Sequence, residues 1–91
     1  MMIIRYFADI RDLTGENERR WTGTASTLAE LLSDLGGYYG PRFRGRILTD
    51  SGLSETIIVL INGRDIRHLE GLNTPLGPDD TVSIFPVVAG G

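Results

Sequence analysis

The feature that most restricts how this chain can fold is one capped, one-faced helix set among β-forming segments. In Ser26-Thr27-Leu28-Ala29-Glu30, Thr27 is an N-cap and Glu30 follows three residues later. This is a capping box, in which side chains satisfy backbone N–H groups that the first helical turn cannot bond internally. Leu28, Leu31, Leu32 and Leu35 then fall at i, i+3, i+4 and i+7 as a single apolar stripe, and Gly36-Gly37 supplies a C-terminal stop. A helix with one apolar face has to bury it, and the flanking segments offer a sheet to bury it on.

Ile3-Ile4-Arg5-Tyr6-Phe7 is β-branched and aromatic and reads as the first strand. With Arg5 in water, the period-2 alternation turns Ile4 and Tyr6 inward and Ile3 and Phe7 outward. The turn formers of Asp12–Asn17 reverse the chain into a second strand around Arg19–Thr22, giving a hairpin. Thr56–Ile61 is the most hydrophobic run and is expected to be a central strand, covered on both faces for part of its length. Asn62-Gly63 makes a tight turn into a short return strand, Arg64–Ile66. Leu69–Leu72 is expected to form a helical turn. Thr81–Pro86 is the last strand, with Val82 and Ile84 on one face and Ser83 and Phe85 on the other. Tyr38–Ser54 reads as a long, irregular connection carrying Arg42, Arg44 and Arg46 around Phe43. The order strand, strand, helix, strand, short strand, strand predicts an α+β, grasp-like arrangement: a mixed sheet of four to five strands with one main helix on one face.

Ninety-one residues are too few for two self-sufficient cores, so 1–86 is expected to be one domain and 87–91 a flexible C-terminal tail. A composition of 41% hydrophobic and 23% charged residues is that of a folding chain. With no apolar run near the ~18 residues of a membrane span, and no signal-peptide pattern at Met1–Arg5, the expectation is a cytoplasmic protein that is not a membrane partner. There is no cysteine, which excludes a thiolate metal site, a thioester nucleophile and a persulfide on any side chain. His68 has no second imidazole, so no zinc-type metal site is expected. A net charge of −3 opposes nucleic-acid binding, and the Arg42–Arg46 stretch is read as a solvated loop. All nine cationic side chains are arginine, so the chain cannot accept a ubiquitin-like tag on a side-chain amine of its own.

Several motifs together resemble the β-grasp sulfur carriers, the ubiquitin-like family that includes the small subunit of molybdopterin synthase and the thiamine-pathway carrier. They are Arg5-Tyr6-Phe7-Ala8 with Arg11-Asp12-Leu13-Thr14-Gly15, Thr27–Leu32, Ile61-Asn62-Gly63, and Asp79–Pro86 followed by a terminal Gly90-Gly91. The last block is the most specific of these. Asn62–Leu69 is similar to the subgroup that holds cysteine-biosynthesis and archaeal-type carriers. Two departures stand out. Val87 occupies a position where members near the molybdopterin subunit usually carry a second proline, and the 38–54 connection is long for the thiamine carrier.

The resemblance implies a non-catalytic carrier that binds no cofactor itself. A ubiquitin-activating-like adenylyltransferase would use ATP with magnesium to adenylate the Gly91 carboxylate, and a sulfur-donating persulfide protein would convert it to a thiocarboxylate. The larger catalytic subunit of molybdopterin synthase, or another sulfur-accepting enzyme, would then take the sulfur. Cysteine or thiamine biosynthesis, isopeptide formation by a protein modifier, and a binding module with an inert tail stay open as alternatives. Ala89 and Gly90 suit threading into a narrow channel because glycine lacks the Cβ that blocks close approach. Val87–Gly91 spans at most about 17 Å when extended. Phe7, Phe85, Pro86, Val87 and Val88 are the expected partner-binding residues. The first and last strands are neighbours in such a sheet, so the two outward rings would meet on an exposed face; with the facing reversed they would be core. Pro86 is expected to end the strand ladder. Trp21 is read as packing, and His68 is assigned no role.

Overall fold

Alternation of inward and outward side chains on the inner strands of the sheet sets the architecture. The computed structural model describes residues 1–87. In chain order its elements are β1 (Met2–Tyr6), α1 (Ala8–Thr14), β2 (Glu18–Trp21), α2 (Leu28–Tyr39), α3 (Pro41–Ile47), β3 (Leu48–Thr49), β4 (Gly52–Leu53), β5 (Ile57–Ile61), β6 (Arg64–Asp65) and β7 (Thr81–Pro86). Short 3-10 turns cover Ile66–His68 and Gly71–Asn73.

Five strands form one sheet in the order β2-β1-β7-β5-β6, and β3 and β4 make a separate two-stranded ribbon. β1 runs parallel to β7 and antiparallel to β2, and β5 is antiparallel to both β7 and β6. This is the β-grasp arrangement. Ile4, Tyr6, Val82, Ile84 and Val59 meet Leu28, Leu31, Leu32 and Leu35 of α2 in one core. Each leucine of that stripe is essentially removed from solvent, which contributes about 1.5–3 kcal/mol apiece before entropy is counted.

Thr27 caps α2 as expected, its Oγ1 accepting from the Glu30 N–H at 3.3 Å. The reciprocal leg lands one residue earlier than in a simple capping box: Glu30 Oε2 accepts from the Ser26 N–H (3.0 Å) and the Ser26 hydroxyl (2.7 Å). Asn62-Gly63 turns the chain with both residues at positive φ, 52° and 83°, a conformation that suits asparagine and glycine.

Four expectations need correction. The β1–β2 connection is not a bare turn but contains α1, which drives Ile10 fully into the core. Gly36-Gly37 does not stop α2, which runs on to Tyr39. Gly36 is buried inside the helix, and a Cβ built on it would lie 3.4 Å from the Arg44 stem of α3, so the residue faces a neighbouring helix rather than a helix end. The 38–54 stretch is not irregular, since it holds α3, whose Phe43 and Ile47 are buried, and the β3–β4 ribbon. Finally, β5 is an inner strand, between β7 and β6, but it is not covered on both faces. β5 alternates buried Ile57, Val59 and Ile61 with half-exposed Ile58 and Leu60, because only one face of the sheet is covered there.

A polar chain closes one end of the core. The Tyr6 hydroxyl donates to Tyr39 Oη (3.0 Å), which donates to Glu16 Oε2 (2.7 Å), and Arg19 Nη1 donates to Glu16 Oε1 (2.8 Å). Burial pushes the Tyr6 phenol up to about 12. The Tyr39 hydrogen bond, assisted by Arg19, holds the Glu16 carboxyl below its ordinary value. The network thus keeps two neutral phenols and one carboxylate, tying the end of α2 to the β1–β2 edge. Among the described residues no helix is long and apolar enough to cross a membrane, and no group of three or more metal-ligating acidic, histidine or cysteine side chains occurs.

Candidate functional site

The parallel pairing of β1 with β7 decides where the chain end leaves the domain. Tyr6 lies opposite Ile84, and the Phe7 N–H extends the pairing by donating to the Ile84 carbonyl at 3.2 Å. Tyr6 is buried while Phe7 is 40% exposed, so the facing read from Arg5 holds and the reversed alternative does not. On the neighbouring strand Ile84 is buried and Phe85 half-buried. The Phe7 and Phe85 rings meet edge to face, centroids 5.7 Å apart and planes at 80°.

With Ala8 and Pro86 these rings line a shallow apolar hollow of about 370 Å³. Val87, at its end, is 42% exposed. Sequence reasoning did not single out Ala8. It adopts φ 53°, the left-handed region that L-residues rarely occupy, as β1 breaks into α1 at the rim of the hollow. No local pattern announces that, because alanine is an ordinary helix former.

Pro86 does not end the ladder as expected. It stands opposite Ile57, and the next residue, Val87, still donates its N–H to the Thr56 carbonyl at 2.9 Å. Successive N–H groups of a strand point to opposite sides, so the donor that Pro86 lacks would face β1. There β1 has already given way to α1, and the Phe7 carbonyl accepts from the Ile10 N–H instead. Proline is therefore tolerated at no cost in hydrogen bonds, and among the described residues the last backbone tie falls at Val87, within the segment expected to be free. Thr56, which receives that tie, is a second residue the sequence did not mark. Val88, Ala89, Gly90 and Gly91 lie outside the described residues.

Replacing Phe7 by alanine should cost about 1 kcal/mol of stability, the worth of one edge-to-face pair at the surface. Binding to a partner that seats on the hollow should weaken by about tenfold or more, as for an aromatic interface anchor. Thermal melting, and titration calorimetry with a protein that seats on the hollow, check this. Loss of cooperative folding, or unchanged binding, would count against a docking role.

The ThiS family model matches residues 4–91. The small archaeal modifier protein 3 of Haloferax volcanii is 36% identical over 89 residues, covering 97% of this chain and 96% of that protein. The sulfur carrier protein CysO of Mycobacterium tuberculosis is 31% identical over 85 residues, covering 90% of this chain and 89% of its own length. Among solved structures, the small archaeal modifier protein 1 from Methanosarcina acetivorans superposes with a TM-score of 0.86 at 33% identity, over 99% of this chain and 95% of that one.

Proposed function

The chain belongs to the ThiS family, and from that premise we propose that it is a carrier rather than a catalyst, its working group being the Gly91 carboxylate. The observation that carries the reading is the course of β7, whose half-buried Phe85 meets the exposed Phe7 and, with Pro86, lines an apolar hollow just before Val87. A free carboxylate resists attack because of its charge and its poor leaving group. Condensation with ATP on an activating partner would give an acyl-adenylate and pyrophosphate. A persulfide sulfur would then attack the carbonyl carbon and expel AMP, and reduction of the acyl disulfide by a thiol would leave the thiocarboxylate. This chain contributes the carboxyl carbon, a threadable Val88-Ala89-Gly90-Gly91 end and a docking surface; with no cysteine, it contributes no sulfur of its own.

For the recipient we propose first the precursor pterin of molybdopterin, with this chain as the synthase small subunit. The motifs at Arg5–Gly15 and Asp79–Pro86 are those of the carrier family that includes that subunit, while Val87 departs from the second proline usual there. Cysteine synthesis has support from the likeness to a sulfur carrier protein and from Asn62–Leu69, and protein modification from the likeness to an archaeal modifier. As a modifier this lysine-free chain would form no chains through side-chain amines, since it offers none on which a second copy could be joined.

The thiocarboxylate form, mixed with the catalytic subunit of molybdopterin synthase and precursor pterin, is expected to return to the carboxylate mass as dithiolene forms. A carrier that keeps its sulfur there but loses it to an acceptor amino acid would assign it to cysteine synthesis. Covalent attachment to lysines of other proteins would assign it to modification.

A further inference from the structure

The base of the tail is held by a side chain from a different part of the fold. Arg46, on α3, donates from Nε to Asp9 Oδ2 of α1 at 2.9 Å and from Nη1 to Thr56 Oγ1 at 2.7 Å. Thr56 is the residue whose carbonyl accepts the Val87 N–H. Its hydroxyl also lies 2.8 Å from that of Ser54, and its own N–H donates to Ser54 Oγ at 3.2 Å. One guanidinium therefore joins α1, α3 and the loop before β5 at the point where the chain end takes its last described backbone bond. The Arg46 side chain is 27% exposed and Asp9 51%. An ion pair as accessible as this one adds little to stability, so its geometry calls for another account.

We propose that Arg46 is a positioning residue for the chain end: by fixing Thr56 it sets the place and direction in which Val87 departs, relative to the Phe7–Phe85 hollow. The inference rests on the reading that the terminal carboxylate is activated by a partner docked on this face. Val88–Gly91, fully extended, reach at most about 14 Å. A change of direction at their root therefore shifts the range that the carboxylate can reach, and acyl transfer tolerates little misplacement of the reacting atoms. A guanidinium suits the task because its planar fork can hold two acceptors in fixed directions at once.

The test uses the full chain as wild type, Arg46→Ala, Arg46→Lys and Thr56→Val. Two readouts apply: amide hydrogen exchange at Val87, and ATP–pyrophosphate exchange with the ubiquitin-activating-like adenylyltransferase. The expected result is that Arg46→Ala and Thr56→Val melt within a few degrees of wild type, exchange the Val87 amide about tenfold faster or more, and lower kcat at least fivefold with KM within about twofold. Arg46→Lys should recover part of both. Thr56→Val keeps Arg46 and its Asp9 pair, so it reports on the tie even where Arg46→Ala disturbs folding. Unchanged Val87 exchange in Thr56→Val would overturn the proposal. So would a rise in KM confined to the Arg46 variants, which would make Arg46 a direct partner contact. If wild type itself is not adenylated, the functional reading fails, while Val87 exchange still decides the tie.

Discussion

Phe43→Ala is expected to destabilise the domain by about 3–5 kcal/mol, the range for truncating a fully buried phenylalanine. Phe43 is 1% exposed, its ring centroid 6.3 Å from that of Tyr6 and 5.1 Å from that of Tyr39. With Ile47, it is one of the two side chains of α3 buried in the core. Against a total stability of about 5–15 kcal/mol for a domain, such a loss leaves little margin. The melting midpoint should fall on the order of 15–30 °C for a chain of this size. Phe43→Leu, which retains most of the volume, should lose much less. Denaturant unfolding followed by circular dichroism measures both. A loss under about 1 kcal/mol for the alanine variant would place the ring in solvent, on the loop that the sequence alone suggested.

Deleting Gly91 should have the opposite profile: activation lost, fold kept. Every buried side chain of the described core lies between Met2 and Ile84, so truncation removes nothing from it. The new terminal carboxylate, on Gly90, sits about 3.5 Å short of the old one. Adenylation requires the carboxylate oxygen and the α-phosphate in near contact, and misplacement by 1 Å can already cost about a hundredfold. The truncated chain should therefore support ATP–pyrophosphate exchange at least about a hundredfold more slowly while melting like wild type. Full activity in the truncated chain would remove Gly91 from the mechanism.

What could be read from the sequence follows from how local each cause is. The Thr27 cap, the leucine stripe and the Asn62-Gly63 turn are governed by residues within a few positions of one another, and all three are present. The facing of β1 and β7 followed from Arg5 and from period-2 alternation, which is why Phe7 and Phe85 could be paired before any coordinates. The helices α1 and α3 were not legible. Each is seven residues long, too short for its apolar positions to show a helical period. Their turn-forming and charged residues, Asp12 and Thr14 in one and Arg42, Arg44 and Gly45 in the other, mask the buried Ile10, Phe43 and Ile47. Gly36 reads as a stop because what it packs against, the Arg44 stem of a neighbouring helix, is not visible in the local sequence. The tail base was missed for the same kind of reason: Asp9, Arg46, Thr56 and Val87 are distant in sequence and meet only through tertiary packing.

Central to the account is the chemistry of one carboxylate. The full chain, incubated with the activating enzyme, ATP, magnesium and a persulfide donor, should gain the mass of sulfur minus oxygen, and fragmentation should confine that gain to the C-terminal peptide ending in Gly91. A chain whose mass stays unchanged under conditions that load a known carrier, or whose gain maps elsewhere, would contradict it.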